Sequence, residues 1–257
     1  MKIATWNVNS LRVRLEHVIE WLQRVQPDVL GLQETKLVDD KFPTAEIEAI
    51  GYRCAFSGQP TYNGVAVLSR LPIENITTEL DGFEDPQRRV LGAQIGPLRL
   101  LNLYVPNGQS VDSDKYLYKL DWLAALRAQL DSERDKHEYT AIVGDFNIAP
   151  EDGDVHDPAN WEGKVLCSPK ERAALGEILA LGFKDTYRLF DQPEKSFTWW
   201  DYRAAAFRRN MGMRIDLVLA SNALSQRCIG ASIDTAPRKL ERPSDHTPVF
   251  AEFDLET

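Results

Sequence analysis

The chain has 257 residues, 43% of them hydrophobic and 27% charged, with a formal net charge of −9, a size that suits one large α/β domain or two small ones. No apolar run reaches the roughly 18 residues a membrane-spanning helix needs, and the opening MKIATWNVNS runs straight into a strand pattern without the apolar core of a secretory signal. Three cysteines, Cys54, Cys167 and Cys228, are odd in number and in no C-x-x-C arrangement, which argues against a disulfide framework or a zinc site and predicts buried thiols in a reducing, cytoplasmic setting. Taken in chain order, a strand over 2–8 is followed by a helix over 15–25, where Leu15, Val18, Ile19, Leu22 and Val25 recur at helical spacing. Strands are predicted over 29–35, 52–57, 64–70, 73–80, 90–95 and 98–105, then a long helix over about 113–135 and a strand over 140–146. A polar loop, about 150–167, leads to a helix with Ser168 as N-cap, Pro169 in its first turn and Gly182 near its end. The remainder reads as strands SFTWWDY, IDLVLAS, CIGASID and TPVFAEFDL.

There is no Gly/Ser linker and no shift of composition, so residues 1–257 are expected to form a single domain. Strands joined by short turns imply antiparallel pairing, and interrupting helices imply covered sheet faces; two facing sheets with helices outside would satisfy both. The net acidity argues against a uniformly basic surface. It does not exclude a local one, because binding depends on where charges sit, and an acidic cluster around a divalent cation would account for part of it.

Polar side chains gather where strands end. Asn7 and Asn9 close the first strand and Gln33 and Glu34 the second. Tyr104 and Asn107 follow LLNLYVPNG, while Asp145 and Asn147 close AIVGDFN. Asp216 lies within the apolar MRIDLVLA, and Asp245 and His246 open the last strand. Singly, each has a plain reading: a turn cap, a solvated acid, a satisfied histidine. Asp216 is the exception, since a carboxylate in an apolar strand needs a cationic or donor partner. Asp145 and Asn147, at i and i+2, are expected on one strand face, with Gly144 permitting close approach. Carboxylates, amides, an imidazole and a phenol together are what phosphodiester hydrolysis needs: charge neutralisation, a base for water and donors for phosphate oxygens. Oxygen donors without a Cys/His cluster suit magnesium, with manganese as a substitute. Phosphate-binding and serine-hydrolase motifs such as G-x-x-x-x-G-K-[ST], G-x-G-x-x-G and G-x-S-x-G are absent.

The motifs WNVNSLRVR, PDVLGLQETK, YNGVAVLSR, PQRRV, GDFNIAP, FTWWDYR, GMRIDLVLAS and RPSDHTPV, spread over almost the whole chain, resemble the exonuclease III family of apurinic/apyrimidinic endonucleases. That resemblance implies a four-layer α/β sandwich of two facing mixed, mostly antiparallel sheets flanked by helices. It implies Glu34 as the principal magnesium ligand, with Asn7 and Asp245 near the metal, and Asp145 as the residue that activates water. It also implies that Asn147 holds the scissile phosphate, that His246 donates to it with Asp216 orienting its ring, and that Tyr104 and Asn107 lie beside it. The stretch WWDYRAAAFRRNMGMR carries Arg203, Arg208, Arg209 and Arg214 against the single acid Asp201, a local charge of +3. Trp199 matches the aromatic that packs on an abasic sugar, and Trp200 is open between that role and the core. Arg12, Arg14 and the QRR at 87–89 read equally as backbone contacts or ordinary surface arginines. The expectation is a monomeric, magnesium-dependent nuclease acting on duplex DNA at abasic sites and 3′ ends, with no membrane partner. A phosphatase of inositol phosphates or sphingomyelin, or a silent nucleic-acid-binding regulator on the same fold, is disfavoured by the arginine loop and by the intact set of polar residues.

Overall fold

In a computed structural model, which describes residues 1–255, two six-stranded sheets stack face to face. The strands are β1 Lys2–Asn7, β2 Val29–Gln33, β3 Arg53–Ser57, β4 Val65–Ser69, β5 Glu74–Thr77, β6 Val90–Ile95, β7 Leu98–Tyr104, β8 Tyr139–Asp145, β9 Phe183–Asp185, β10 Trp199–Trp200, β11 Gly212–Met213, β12 Asp216–Ser221, β13 Cys228–Ile233 and β14 Val249–Phe253. The helices are α1 Leu11–Val25, α2 Thr44–Glu48, α3 Asp114–Glu133, α4 Pro158–Trp161, α5 Pro169–Ala180 and α6 Asn222–Ser225. One sheet runs β13-β14-β1-β2-β4-β3 and the other β5-β6-β7-β8-β12-β9; β10 and β11 form a separate ribbon. Within each sheet one pair is parallel, β1 with β2 and β7 with β8, and the rest are antiparallel.

The near-continuous apolar strands follow from burial on both faces, with the period of two deciding which core each residue joins. Along β1, Ile3 enters the core between the sheets, while Ala4 and Trp6 face Val18, Trp21 and Leu22 of α1. Along β8, Ala141 and Val143 point between the sheets, and Ile142 points to Trp122 and Leu126 of α3 and Leu175 and Ile178 of α5. Burying each such aliphatic side chain contributes about 1.5–3 kcal/mol, so the order helix, sheet, sheet, helix is set by alternation within strands.

The sheets also share a polar link. Gln33 Nε2 donates to Asn102 Oδ1 at 2.6 Å, and Asn102 Nδ2 donates to the carbonyls of Leu32 and Ala66. Gly31 is required there, because a Cβ would stand 2.7 Å from Asn102 Oδ1.

Several element boundaries differ from the sequence expectation. Helix α1 begins at Leu11, four residues earlier, because Ser10 N and Leu11 N donate to the carbonyls of Glu34 and Thr35 at the end of β2. The SFTWWDY strand contracts to two residues, and the last strand starts at Val249, so Asp245 and His246 lie in the loop before it. The 150–167 segment holds a 3-10 turn at Asp152–Asp154 and the short α4, with Asp157 accepting from Asn160 N. Ser168 caps α5 as predicted, and Glu171 adds the return bond of a reciprocal capping box. Only Cys167 is buried, while Cys54 and Cys228 are half-buried. Among the described residues no helix is long and apolar enough to cross a membrane.

Candidate active site

Register brings the polar strand ends to one rim. Asn7 pairs with Gln33 across β1 and β2, Tyr104 with Asp145 across β7 and β8, and Asp216 with Asp145 across β12 and β8. The two sheets meet there: Asn7 Nδ2 donates to Glu34 Oε1 and to Asp145 Oδ2, each at 2.9 Å. Asp145, Asn147, Asp216 and His246 are all buried.

Asp145 and Asn147 come together differently from the shared-face expectation. The strand stops at Asp145, and Asn147 turns back in the left-handed region (φ 50°), so its own N–H donates to Asp145 Oδ1 at 2.9 Å. Its amide is partly committed: Oδ1 accepts from Asn107 Nδ2 (2.9 Å) and Nδ2 donates to the Val105 carbonyl (3.0 Å), leaving one amide N–H. Gly144 does serve close approach, but of backbone, since a Cβ there would fall 1.9 Å from the Leu103 carbonyl oxygen.

His246 stands between two carboxylates. Its Nδ1 lies 2.9 Å from Asp216 Oδ2 and its Nε2 3.7 Å from Asp145 Oδ2. His246 is thereby the partner that the Asp216 carboxylate demanded in its apolar strand, while the Asp216 backbone N–H donates to Thr198 Oγ1. Burial works against a charged ring, but the Asp216 carboxylate, then Asp145, push the His246 pKa up to about 10. Burial pushes Asp145 up to about 7; the His246 charge opposes this and the Asp216 charge adds to it. Burial, with Glu34 and Asp145 nearby, holds the Tyr104 phenol well above its usual range.

Carboxylate oxygens of Glu34 and Asp145 and a ring nitrogen of His246 lie within 4.8 Å of one another. The donor set is oxygen-rich and free of thiolate, which fits a hard divalent cation. Asp245 is outside that group. Its carboxylate accepts from Asn9 Nδ2 (2.9 Å) and from the Trp199 indole (3.0 Å), and is held below the usual carboxylate range as the His246 charge and these donors outweigh burial.

The proposed DNA-facing residues divide. Trp199 is half-buried beside His246, through a backbone bridge, whereas Trp200 is core. Arg208 and Arg209 are exposed; Arg203 is exposed but spends its charge on Asp201 at 2.6 Å. Arg214 does not face solvent: it is 1% exposed and pairs with Asp154 and Asp185 at 2.7 Å each. Arg14 clamps the Asn9 and Pro243 carbonyls, and Arg89 lies 4.7 Å over the Tyr104 ring while donating to its carbonyl. Both are structural supports. Arg12 remains exposed.

Sequence reasoning missed Lys36, whose Nζ pairs with Glu34 at 2.9 Å and also donates to Asn9. It missed Ser244, which donates to the Asn7 carbonyl and accepts from His246 N, though its place in RPSDHTPV was a signal. It also missed Lys119 and Glu171, which sit on helices away from the strand ends in sequence.

A fold of two helix-covered sheets with a buried Asp–His pair and a carboxylate cluster at one rim defines a class of enzymes that hydrolyse phosphate esters. Residues 4–246 match the endonuclease/exonuclease/phosphatase family, and the chain belongs to it. It is 36% identical over 269 residues to exodeoxyribonuclease III of Haemophilus influenzae, covering 98% of this chain and all of that one. It superposes on a structure of the 3′ phosphatase NExo from Neisseria bound to a product DNA hairpin with a TM-score of 0.97 at 45% identity, covering 99% of this chain and 100% of that one. With an AP endonuclease from Archaeoglobus fulgidus the TM-score is 0.95 at 41% identity, again over 99% and 100%.

Proposed function

We propose that this chain is a monomeric, magnesium-dependent DNA repair nuclease, with residues 1–257 acting as one catalytic unit. It would hydrolyse the phosphodiester 5′ to abasic sites in duplex DNA, shorten 3′ ends in the 3′→5′ direction and remove blocking groups from them. The observation that carries the reading is the buried Asp145 carboxylate, its neighbours on one side Asn7 and Asn147 and on the other the His246–Asp216 pair.

In this reading Asp145 takes the proton of the attacking water. A carboxylate raised to about 7 is matched to a base working at neutral pH. His246, holding Nδ1–H against Asp216, directs Nε2–H at a phosphate oxygen, and because the ring stays charged it offsets the negative charge that builds there. Asn147 gives its remaining amide N–H to the same phosphate, with Asn107 fixing the amide's orientation. Tyr104 lies at the phosphate or leaving oxygen as a protonated phenol. Glu34 would be the principal ligand of magnesium, with Asn7 and Asp245 near it, and the ion when bound would supply Lewis-acid neutralisation of the phosphoryl group. Trp199 would pack on the exposed sugar, and Arg203 and Arg208 would meet backbone phosphates, Arg203 once released from Asp201.

The test is a duplex with one stable abasic analogue and a recessed 3′ end, incubated with magnesium or with chelator. Incision beside the analogue, abolished by chelator and lowered about 10²–10⁴-fold in Asp145→Asn, is expected. Shortening of the 3′ end without incision would narrow the activity to 3′ ends. Equal activity in Asp145→Asn would remove Asp145 from the reaction.

A further inference from the structure

One buried charge stands behind the site and is not used by the chemistry above. Lys119, on the inner face of α3, and Glu171, in the first turn of α5, are both 0% exposed and form an ion pair. An ammonium has three N–H donors, and here they have three acceptors: the Asn147 carbonyl at 2.7 Å, the Asn107 carbonyl at 3.2 Å, and Glu171. Both carbonyls belong to irregular backbone, Asn147 at φ 50° and Asn107 just before Gly108 (φ 91°) and Gln109 (φ 59°), where no helix or strand supplies a partner. Glu171 is itself fixed, accepting from Leu166 N and Ser168 N at 3.1 Å each. The lysine stem lies under the 107–109 turn, since a Cβ on Gly108 would come within 3.2 Å of Lys119 Cδ.

The two residues whose carbonyls meet at Lys119 are also joined through their side chains, Asn107 Nδ2 to Asn147 Oδ1 at 2.9 Å. A buried ion pair is a weak source of stability, because desolvation offsets most of the attraction, and apolar replacements are often neutral. What such a pair supplies here is geometry: a single atom fixes two loops from different parts of the chain.

We infer that Lys119 is a positioning residue for the reaction, fastening the Asn107 and Asn147 turns to each other so that their amides stay aligned on the phosphate. The inference rests on the nuclease reading above for its kinetic consequence, and on the geometry alone for its structural one. Lys119 touches no reacting atom. Losing it lets two carbonyls and their side chains drift, and a misplacement of about 1 Å costs on the order of a hundredfold in rate.

The experiment compares wild type with Lys119→Met/Glu171→Gln, which removes both charges together, and with Leu130→Ala, which opens a cavity in the core under the far part of the same helix. Each is assayed on the abasic and 3′-end duplexes well below its own unfolding temperature. The double variant is expected to lose kcat by about a hundredfold with KM within about threefold, while Leu130→Ala, though less stable, keeps its kcat. Lys119→Gln, which retains two N–H donors on a neutral side chain, is the second variant and should fall between them. Side-chain amide NMR signals of Asn107 and Asn147 provide the readout that needs no activity: they should shift and exchange faster in both Lys119 variants and not in Leu130→Ala. A kcat near wild type in the double variant, or a loss matched by Leu130→Ala, overturns the inference. Wild type inactive on both duplexes would overturn the nuclease reading instead, and unchanged Asn107 and Asn147 signals would then overturn the positioning claim independently.

Discussion

At His246 two opposing effects set the charge of the ring. Burial alone would strip its proton, and the carboxylates of Asp216 and Asp145 more than reverse this, leaving the ring charged up to about 10. The folded value is above the unfolded one of about 6.5, so the stabilisation from this pairing is fully present below about 6.5 and is lost as pH rises towards about 10. Ring 15N shifts of the metal-free protein should therefore show an imidazolium through neutral pH, and Asp216→Asn should bring the titration down towards the ordinary histidine range. A ring that is neutral at pH 7 in the wild type would remove the charged donor from the mechanism. Asn147 shows how local backbone decides such chemistry. Its left-handed φ, tolerated by asparagine better than by most residues, turns its N–H onto Asp145.

Among the elements, the ribbon of β10 and β11 and the 3-10 turn at Asp152–Asp154 are tied by charge. Arg214 donates from Nε to Asp154 Oδ1 and from its backbone N–H to the Asp154 carbonyl, Asp185 accepts from the same guanidinium, and Arg188 also pairs with Asp154. The arrangement locks the 151–167 segment against the strand that carries Asp216. Asp154→Ala should leave Arg214 buried with half its partners and cost about 3–5 kcal/mol, as breaking a buried pair usually does. Urea unfolding monitored by tryptophan fluorescence measures it; a midpoint unchanged from wild type would mean the segment is held by its apolar contacts alone. Those contacts are real: Val155, Leu166 and Cys167 pack with Met213 and Ile215, and Trp161 and Trp199 cover them.

For the whole molecule, net charge and binding surface point in opposite directions. The chain carries −9 overall, yet Arg12, Arg208 and Arg209 are exposed without a carboxylate partner among the described residues. Polyanion binding through exposed, unpaired arginines releases counterions, so log affinity for duplex DNA should fall linearly with log salt, at roughly −0.9 per phosphate contacted. Replacing Arg208 and Arg209 with Gln should make that slope shallower and weaken binding alike on every sequence. Titration by fluorescence anisotropy across a salt series reads both, and a flat response in the wild type would argue against backbone recognition by this face.

How much of this was legible beforehand depended on the range of the interaction. The strands and long helices were visible because apolar alternation and helical periodicity are local, and the Ser168 cap because N-cap and first-turn signals sit in adjacent residues. The polar residues of the site were legible as a set, through motifs at strand ends, and the family resemblance ordered them. Apart from the pairing of His246 with Asp216, their contacts were not. Nothing local distinguishes Arg208, which is exposed, from Arg214, which is buried on two carboxylates brought from 29 and 60 residues away in sequence. Lys119 was one polar position within the long predicted helix, and only the packing of α3 against α5 gave it Glu171 and two carbonyls. The sequence by itself determined the residue types and the elements that carry them, because those follow from short-range pattern. The tertiary structure decided which charges face solvent, which are buried in pairs, and how Asp145, Asn147 and His246 meet, because desolvation and pairing depend on neighbours that the chain supplies only once it is folded.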